Sequence, residues 1–526
     1  MSKNIIADGV AAGWRYLDAR QLTEAQTWRA DVVIVGSGAG GATAAEQLSR
    51  AGLDVILLEM GSLQEGGQFQ QQERWAYPAL YQDGAGRKTA DQAISLLQGR
   101  TVGGSTTVNW TTSIRTPAPT LSYWRSEFDL PFSPEQLDPY FQQAEQRLNI
   151  SPWAIAPNAN NDKLRQGCEQ LGWSYSQIHR NVKGCANLGY CGMGCPLNAK
   201  QSMLVSAIPA ALQHGALLIS NLSARRLLWS GSTVQALEAV PVDSYFQPQS
   251  SPLLRFEARH FILAAGALGS PALLLRSGAP DPYAQLGKRT CLHPSLISGA
   301  FYPEQIAGHC GAPQSVYSDQ FVWPDDGSMG FKLEVAPVHP VLMASKLTGH
   351  AEAHAALMQQ FNQLQVCIAL LRDGFHPDSP GGVVKLDAAA EPVLHYPFSP
   401  YFWQGARKAL LAMAEVQFAA GAKTVLPLHQ QALHYRSWSE AKTAINQLEL
   451  APYLCTLASA HVMGGCSMSQ DPAKGVVRPD GGHHQLHNLS VLDGSILPSS
   501  LGANPQLTIF GLTLWQLEQL KPQLIR

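Results

Sequence analysis

No stretch of this 526-residue chain stays apolar for long enough to cross a bilayer. The longest such run, Phe261 to Leu275, is broken by Gly266, Gly269 and Pro271. Residues 1–30 lack the basic, apolar and small-residue order of a secretion signal and hold no twin-arginine pair, so the expected location is the cytoplasm. Residence in the periplasm would require co-export with a signal-bearing partner. Excess charge is missing too: 37 Lys and Arg face 39 Asp and Glu, a net charge of −2, and the basic residues are scattered. That leaves no electrostatic footprint for nucleic acid or an anionic membrane. The nine cysteines are odd in number and follow no secretion signal, which argues against a disulfide framework. Fixed-period repeats and low-complexity blocks are absent, so the organisation has to be read from turn residues.

What is present is concentrated first in Asp31 to Gly61, DVVIVGSGAGGATAAEQLSRAGLDVILLEMG. A β-branched run, Val32 to Val35, leads directly into Gly36, Gly38 and Gly41, spaced G-x-G-x-x-G. The first glycine permits the tight turn, the second lets the backbone approach a pyrophosphate, and the third lets helix and strand pack closely. Ala42 to Ala51 reads as a helix whose N-terminal amides and dipole face the phosphates. Glu59 ends the strand Asp54 to Leu58, where a carboxylate accepts the hydroxyls of an adenosine ribose. That residue suits FAD or NAD(H) and repels the extra phosphate of NADP.

The length exceeds what one hydrophobic core usually serves, so two domains are expected. Their pieces alternate along the chain. Residues 1–110 carry the first dinucleotide-binding part and end in a second glycine-rich stretch, Gly99 to Asn109. Residues 111–200 begin a substrate domain broken by prolines and contain a cysteine-rich loop. Residues 201–300 return to strand, turn and helix at Arg259 to Gly278, with Ala265 and Gly266 in the turn. Residues 301–454 alternate in short runs such as GGVVKLD and EPVLHYP, as antiparallel strands do, beside a helix at Tyr401 to Ala419. Residues 455–526 return to glycine-rich turns. The expected fold is α/β: a Rossmann-like FAD domain interleaved with a substrate domain built on an antiparallel sheet with helices.

Four segments in this order make the chain similar to the glucose-methanol-choline (GMC) oxidoreductases, which bind FAD. They are the N-terminal glycine turn, Gly99 to Asn109, Gly266 to Gly278, and Leu486 to Leu512. Ser113 and Ala279 depart from the usual family signatures, and neither carries assigned chemistry. The resemblance implies that Gly103, Gly104, Ser105, Thr106 and Asn109 lie against the flavin and pyrophosphate. Asp493 and Gly494 then meet the ribityl or pyrophosphate region, and Pro505 to Thr508 the pyrimidine end of the ring. It also implies oxidation of an alcohol, with the hydroxyl proton passing to His461 and the α-hydride to flavin N5, while Asn504 orients the substrate oxygen. A neutral imidazole can take that proton without a large pKa shift, and a carboxamide cannot trap it. His483, His484 and His487 are denser, but they sit in a turn without an accompanying carboxylate or thiol.

Cys185, Cys191 and Cys195 fall in one glycine-rich loop, whereas Cys168, Cys291, Cys310, Cys367, Cys455 and Cys466 are dispersed. Three close thiols suit a three-iron cluster, [3Fe–4S]. A disulfide, reduced thiols, or zinc with a remote ligand such as Cys168 stand as alternatives. The loop resembles those of FAD-dependent sugar dehydrogenases and of long-chain alcohol oxidases. With a cluster, electrons leave singly to a cytochrome or small-subunit partner; without it, oxygen or a quinone suffices. A hydroxynitrile-lyase-like flavoprotein shares the architecture. Trp110, Trp124, Trp153, Phe301, Tyr317, Trp323, Phe331 and Phe361 are expected near the pocket, which favours a bulky apolar or aromatic primary alcohol.

Overall fold

The computed structural model describes residues 4–347 and 349–525. Its first sheet has eight strands. Val32 to Val35 are fully buried or nearly so, as befits a strand covered on both faces. The strand Gln26–Val35 pairs in parallel with Val55–Leu58 on one side and with Leu254–Leu263 on the other. Leu217–Ser220 and Arg15–Asp18 extend the parallel part beyond Val55–Leu58. A late segment, Leu489–Val491, joins in parallel along Phe261 to Leu263. The antiparallel pair Leu222–Ser230 and Thr233–Pro241 closes the opposite edge. Helix Ala39–Arg50 covers this sheet and packs against helices Ala207–Gln213 and Gln506–Ile525.

The second sheet, also of eight strands, is mostly antiparallel. At its centre Ser295–Phe301 pairs with Leu364–Leu371, which pairs with Phe331–Val335. Period-two alternation gives these strands two different faces. Leu296, Ala300, Ala369, Leu371, Phe331, Leu333 and Val335 belong to one core, which also takes in Phe402, Ala406, Ala409 and Leu410 of helix Pro400–Ala419. The other face carries Ile297, Ile368 and Leu370 and is turned toward the first sheet's glycine loops. GGVVKLD and EPVLHYP form a separate hairpin, Val383–Leu386 with Pro392–His395. Segments from distant parts of the chain thus contribute to each sheet. No helix among the described residues is long and apolar enough to cross a membrane.

Candidate active site

One cavity of about 940 Å³ runs from the glycine turn to the second sheet. At its far end lies the first turn of helix Ala39–Arg50. Gly36 adopts φ +102°, and a Cβ there would lie 2.2 Å from the Ala264 carbonyl oxygen. A Cβ on Gly38 would meet no protein atom within 4 Å, so this backbone faces open space where a pyrophosphate can approach. Gly41 lies against the Gly36 carbonyl, as close helix–strand packing requires. Gly40 has a role that spacing alone did not reveal. Its Cβ would fall 1.6 Å from the carbonyl oxygen of Leu492, beside Asp493.

Glu59 is buried at the end of its strand and lines the cavity. Its carboxylate accepts the Ser37 amide at 3.0 Å and hydroxyl at 2.6 Å, and the Gly61 amide at 2.8 Å. Burial raises its pKa, against the lowering effect of these donors. The Ser37 oxygen in turn accepts the Gly103 amide at 2.9 Å, so one serine ties the first glycine turn to the second. Gly104, Ser105, Thr106 and Asn109 line the cavity beyond it. Asn109 donates to Gln506 Oε1 at 2.7 Å, which fixes the approach of Pro505.

Asp493 lines the same cavity. It accepts the Gly266 amide at 2.8 Å, the Ser270 hydroxyl at 2.6 Å and the Ser495 amide at 2.7 Å, binding the third glycine turn to the late strand. Ala265, Gly266, Gly494 and Pro505 line the space around it. Thr508 is buried behind this wall, its hydroxyl 2.8 Å from that of Thr116. These residues fit the phosphates and ribose of a dinucleotide: paired helix N-termini, open glycine backbone and a carboxylate at the strand end.

His461 and Asn504 line the other end, together with Glu334, Gln314, Ser295, Ile297, Val366, Ile368 and Leu370. His461 Nδ1 lies 2.9 Å from Nδ1 of His293, with the rings nearly perpendicular. His293 Nε2 accepts the amides of Leu501 at 3.3 Å and Gly502 at 3.2 Å. That nitrogen therefore carries no hydrogen, and the neutral ring keeps its proton on Nδ1. His293 then donates to His461, and His461 holds its own proton on Nε2. Burial, helped by the Lys332 charge, pushes the pKa of His461 down to about 4. Burial also holds His293 well below the ordinary histidine value.

Asn504 donates to Glu334 Oε2 at 3.4 Å, and Gln314 donates to the same oxygen at 2.7 Å. Glu334 Oε1 and Asn504 Oδ1 are buried without a hydrogen-bond partner among the described residues. Neither His293 nor Glu334 was found from the sequence. His293 belongs to no motif, but Glu334 leaves a visible trace, an acid inside the buried strand FKLEV.

In the glycine-rich loop burial raises the pKa of Cys185, and Cys191 and Cys195 lie near enough to add to the rise. Among the described residues no three His, Cys, Asp or Glu side chains are grouped to hold a metal ion, and all nine cysteines are free. The Cys191 sulfur receives the Arg180 guanidinium at 3.4 Å, and Cys185 the Asn187 amide at 3.4 Å. Beneath them, buried Lys200 donates to the carbonyls of Asn109 and Cys191. Among the described residues it forms no metal-ligand set for the expected cluster at Cys185, Cys191 and Cys195. The dense histidines hold a turn together: His483 Nδ1 accepts the amides of Gln485 and Leu486. The aromatic expectation is also corrected. Of the eight residues, only Trp110 lines this cavity; Trp124 bonds Ser499, Trp153 lies under Arg180, and Tyr317 under Lys332.

The two sheets and the cavity between them define a dinucleotide-binding enzyme with a separate substrate wall. The GMC oxidoreductase pattern matches residues 77–295 and 377–513, and an NAD(P)-binding Rossmann-like pattern matches residues 34–81; the chain belongs to the GMC oxidoreductase family. It is 32% identical over 493 residues to an uncharacterised GMC-type oxidoreductase of Mycobacterium tuberculosis, covering 92% of this chain and 75% of that one. It is 26% identical over 500 residues to a long-chain-alcohol oxidase of Arabidopsis thaliana, covering 91% of this chain and 66% of the relative. Among solved structures, pyridoxine 4-oxidase from Mesorbium loti is similar at TM-score 0.68 and 16% identity, over 94% of this chain and 99% of that one. A formate oxidase of Aspergillus oryzae is similar at TM-score 0.70 and 14% identity, over 95% and 99%. Both structural likenesses concern the fold.

Proposed function

We propose that this flavin oxidoreductase oxidises a primary alcohol bearing a long aliphatic chain to the aldehyde. Bound between the glycine turns and the Asp493 segment, FAD would supply the two-electron acceptor. The reading rests on one observation, the composition of the substrate wall. Ile297 stands opposite Ile368, and Ser295 opposite Leu370, on adjoining strands. Ala336, Leu342, Met343 and Val366 extend this aliphatic surface away from His461 and Asn504. A chain laid along it buries apolar surface at roughly 25 cal/mol per Å², and little there can satisfy the many hydroxyls of a sugar. The alcohol-oxidising relatives support the same substrate class.

In this reading the hydroxyl end lies between His461, Asn504 and Glu334. The Nε2–H of His461 donates to the substrate oxygen, and Asn504, tethered to Glu334, fixes the side from which the hydroxyl enters. Burial keeps both His293 and His461 uncharged at neutral pH, so the site has fixed donors and needs no prior titration. Oxygen or a diffusible quinone would reoxidise the flavin. Among the described residues no grouped ligands support the route through an iron–sulfur centre to a cytochrome. The test is anaerobic mixing of the yellow holoprotein with 1-dodecanol, benzyl alcohol or D-glucose. Bleaching is expected fastest with 1-dodecanol. Faster bleaching by glucose, or none with any alcohol, would refute the reading.

A further inference from the structure

Beyond the aliphatic wall the cavity meets two cations, and the strand pairings locate them. Leu370 faces Ser295, Ser295 faces Ala458, and Ala458 faces Ser95, so these four residues form one row across the second sheet. Directly opposed residues share a face, and Leu370, Ser295 and Ala458 all line the cavity. Ser95 stands on the edge strand, about 10 Å from Ser295 at two strand spacings. Its hydroxyl accepts the ammonium of Lys346 at 3.3 Å. Lys346 ends the helix Pro340–Lys346, and Leu342, one turn earlier on the same side, lines the cavity with it. Lys88, exposed, lines the same cavity. Burial lowers the pKa of Lys346, and the charge of Lys88 lowers it further. Among the described residues neither lysine forms an ion pair, and the acids nearest in the chain are engaged elsewhere. Asp83 pairs with Arg87 at 2.8 Å, Asp91 accepts the Thr89 hydroxyl and the Ala93 amide, and Glu73 caps the opposite end of the helix. A lysine that merely complements the helix dipole can do so from water; withdrawing its charge beside an apolar wall is costly without a counterion.

We propose that the far end of the substrate carries a carboxylate held by Lys346 and Lys88, which makes the substrate an ω-hydroxy carboxylic acid. The proposal rests on the long-chain alcohol reading and names the second functional group of that substrate. The hydroxyl lies at His461 and Asn504, the methylenes lie along Ile297, Ile368 and Leu370, and the carboxylate reaches the edge of the sheet. There exposed Lys88 meets water, so the charged end stays partly solvated while the chain is buried. The same pair of charges discriminates: a methyl end leaves both ammonium groups unpaired, and a cationic end is repelled. The lysines touch a part of the substrate that does not react. Their contribution is therefore uniform binding, which acts on the half-saturating concentration more than on the limiting rate.

The experiment is stopped-flow flavin reduction of the holoenzyme at pH 7, without oxygen, by ω-hydroxy acids, α,ω-diols and 1-alcohols of 8, 12 and 16 carbons. The diol is the matched control, because its far end is polar but uncharged. At one or more lengths the hydroxy acid is expected to half-saturate at a concentration about 10–100-fold below that of the diol, as a charge-assisted contact provides. Lys346→Met is expected to remove most of that preference, and Lys346→Glu to transfer it to the ω-amino alcohol of the same length. Should Lys346→Met fail to fold, Lys88→Met, at an exposed position, decides by the same loss of preference. Equal half-saturation by acid and diol at every length overturns the carboxylate site and leaves the alcohol reading standing. So does a preference undiminished in the variants, or a folded Lys346→Met that no longer holds flavin, which would make the lysine a cofactor contact. A wild-type flavin that no alcohol bleaches overturns both.

Discussion

His260, His461 and His483 are each pushed to about 4, chiefly by burial, and burial also holds His293 well below the ordinary histidine value. Each takes up a proton on unfolding whenever the pH lies between its folded value and the unfolded value near 6.5. Their contribution to stability is complete above pH 6.5 and is lost progressively as the pH falls toward 4. For His260, sealed beside Ser490 at 3.0 Å, the shift corresponds to at most about 3 kcal/mol. Urea unfolding should therefore show a midpoint that declines between pH 6.5 and 4. His260→Phe, which cannot charge, should flatten the decline; an unchanged slope would contradict the assignment. Single residues differ in how far the sequence exposes them. His461, Asn504 and Glu59 stand in recognisable local patterns, and the cavity contains all three. His293 and Ser37 act through partners 168 and 66 residues away, and no local pattern records those contacts.

At the scale of elements, the glycine turns make contrasting demands. Gly38 has only open space above it, and Gly40 has the Leu492 carbonyl. Gly38→Ala should leave the unfolding free energy of the flavin-free protein within about 0.5 kcal/mol of wild type and weaken FAD binding. Gly40→Ala should cost the flavin-free protein about 1–3 kcal/mol or more, since helix and late strand must separate. Paired chemical denaturation and flavin titration check this; equal stabilities in the two variants would sink it. The strand, turn and helix of Asp31 to Gly61 were legible because contiguous residues make that unit, and the helix only begins earlier, at Ala39. The substrate wall was not. Its residues come from strands Ser295–Phe301 and Leu364–Leu371, whose register depends on long-range pairing, and from helix Pro340–Lys346, so aromatic content along the chain misled. The cysteine spacing likewise fixed proximity along the chain without fixing where the sulfurs point.

In the molecule as a whole, both sheets are assembled from widely separated segments. The cavity is walled by both sheets and by all three glycine turns, so its occupant bridges the two cores. FAD at a hundred times its dissociation constant should stabilise the fold by about 2.7 kcal/mol. In calorimetry the added flavin should move the whole unfolding transition upward. Displacement of only one of two separate transitions would show that the cores respond independently.

The late strand Leu489–Val491 and Asp493 complete a site begun by Gly36 and Gly38 near the other end of the sequence. On the ribosome, the nascent chain must hold its first glycine loop without that lid through most of translation. A premature stop codon before Leu489 would thus abolish cofactor capture altogether, even though every residue of the opening fingerprint had been made.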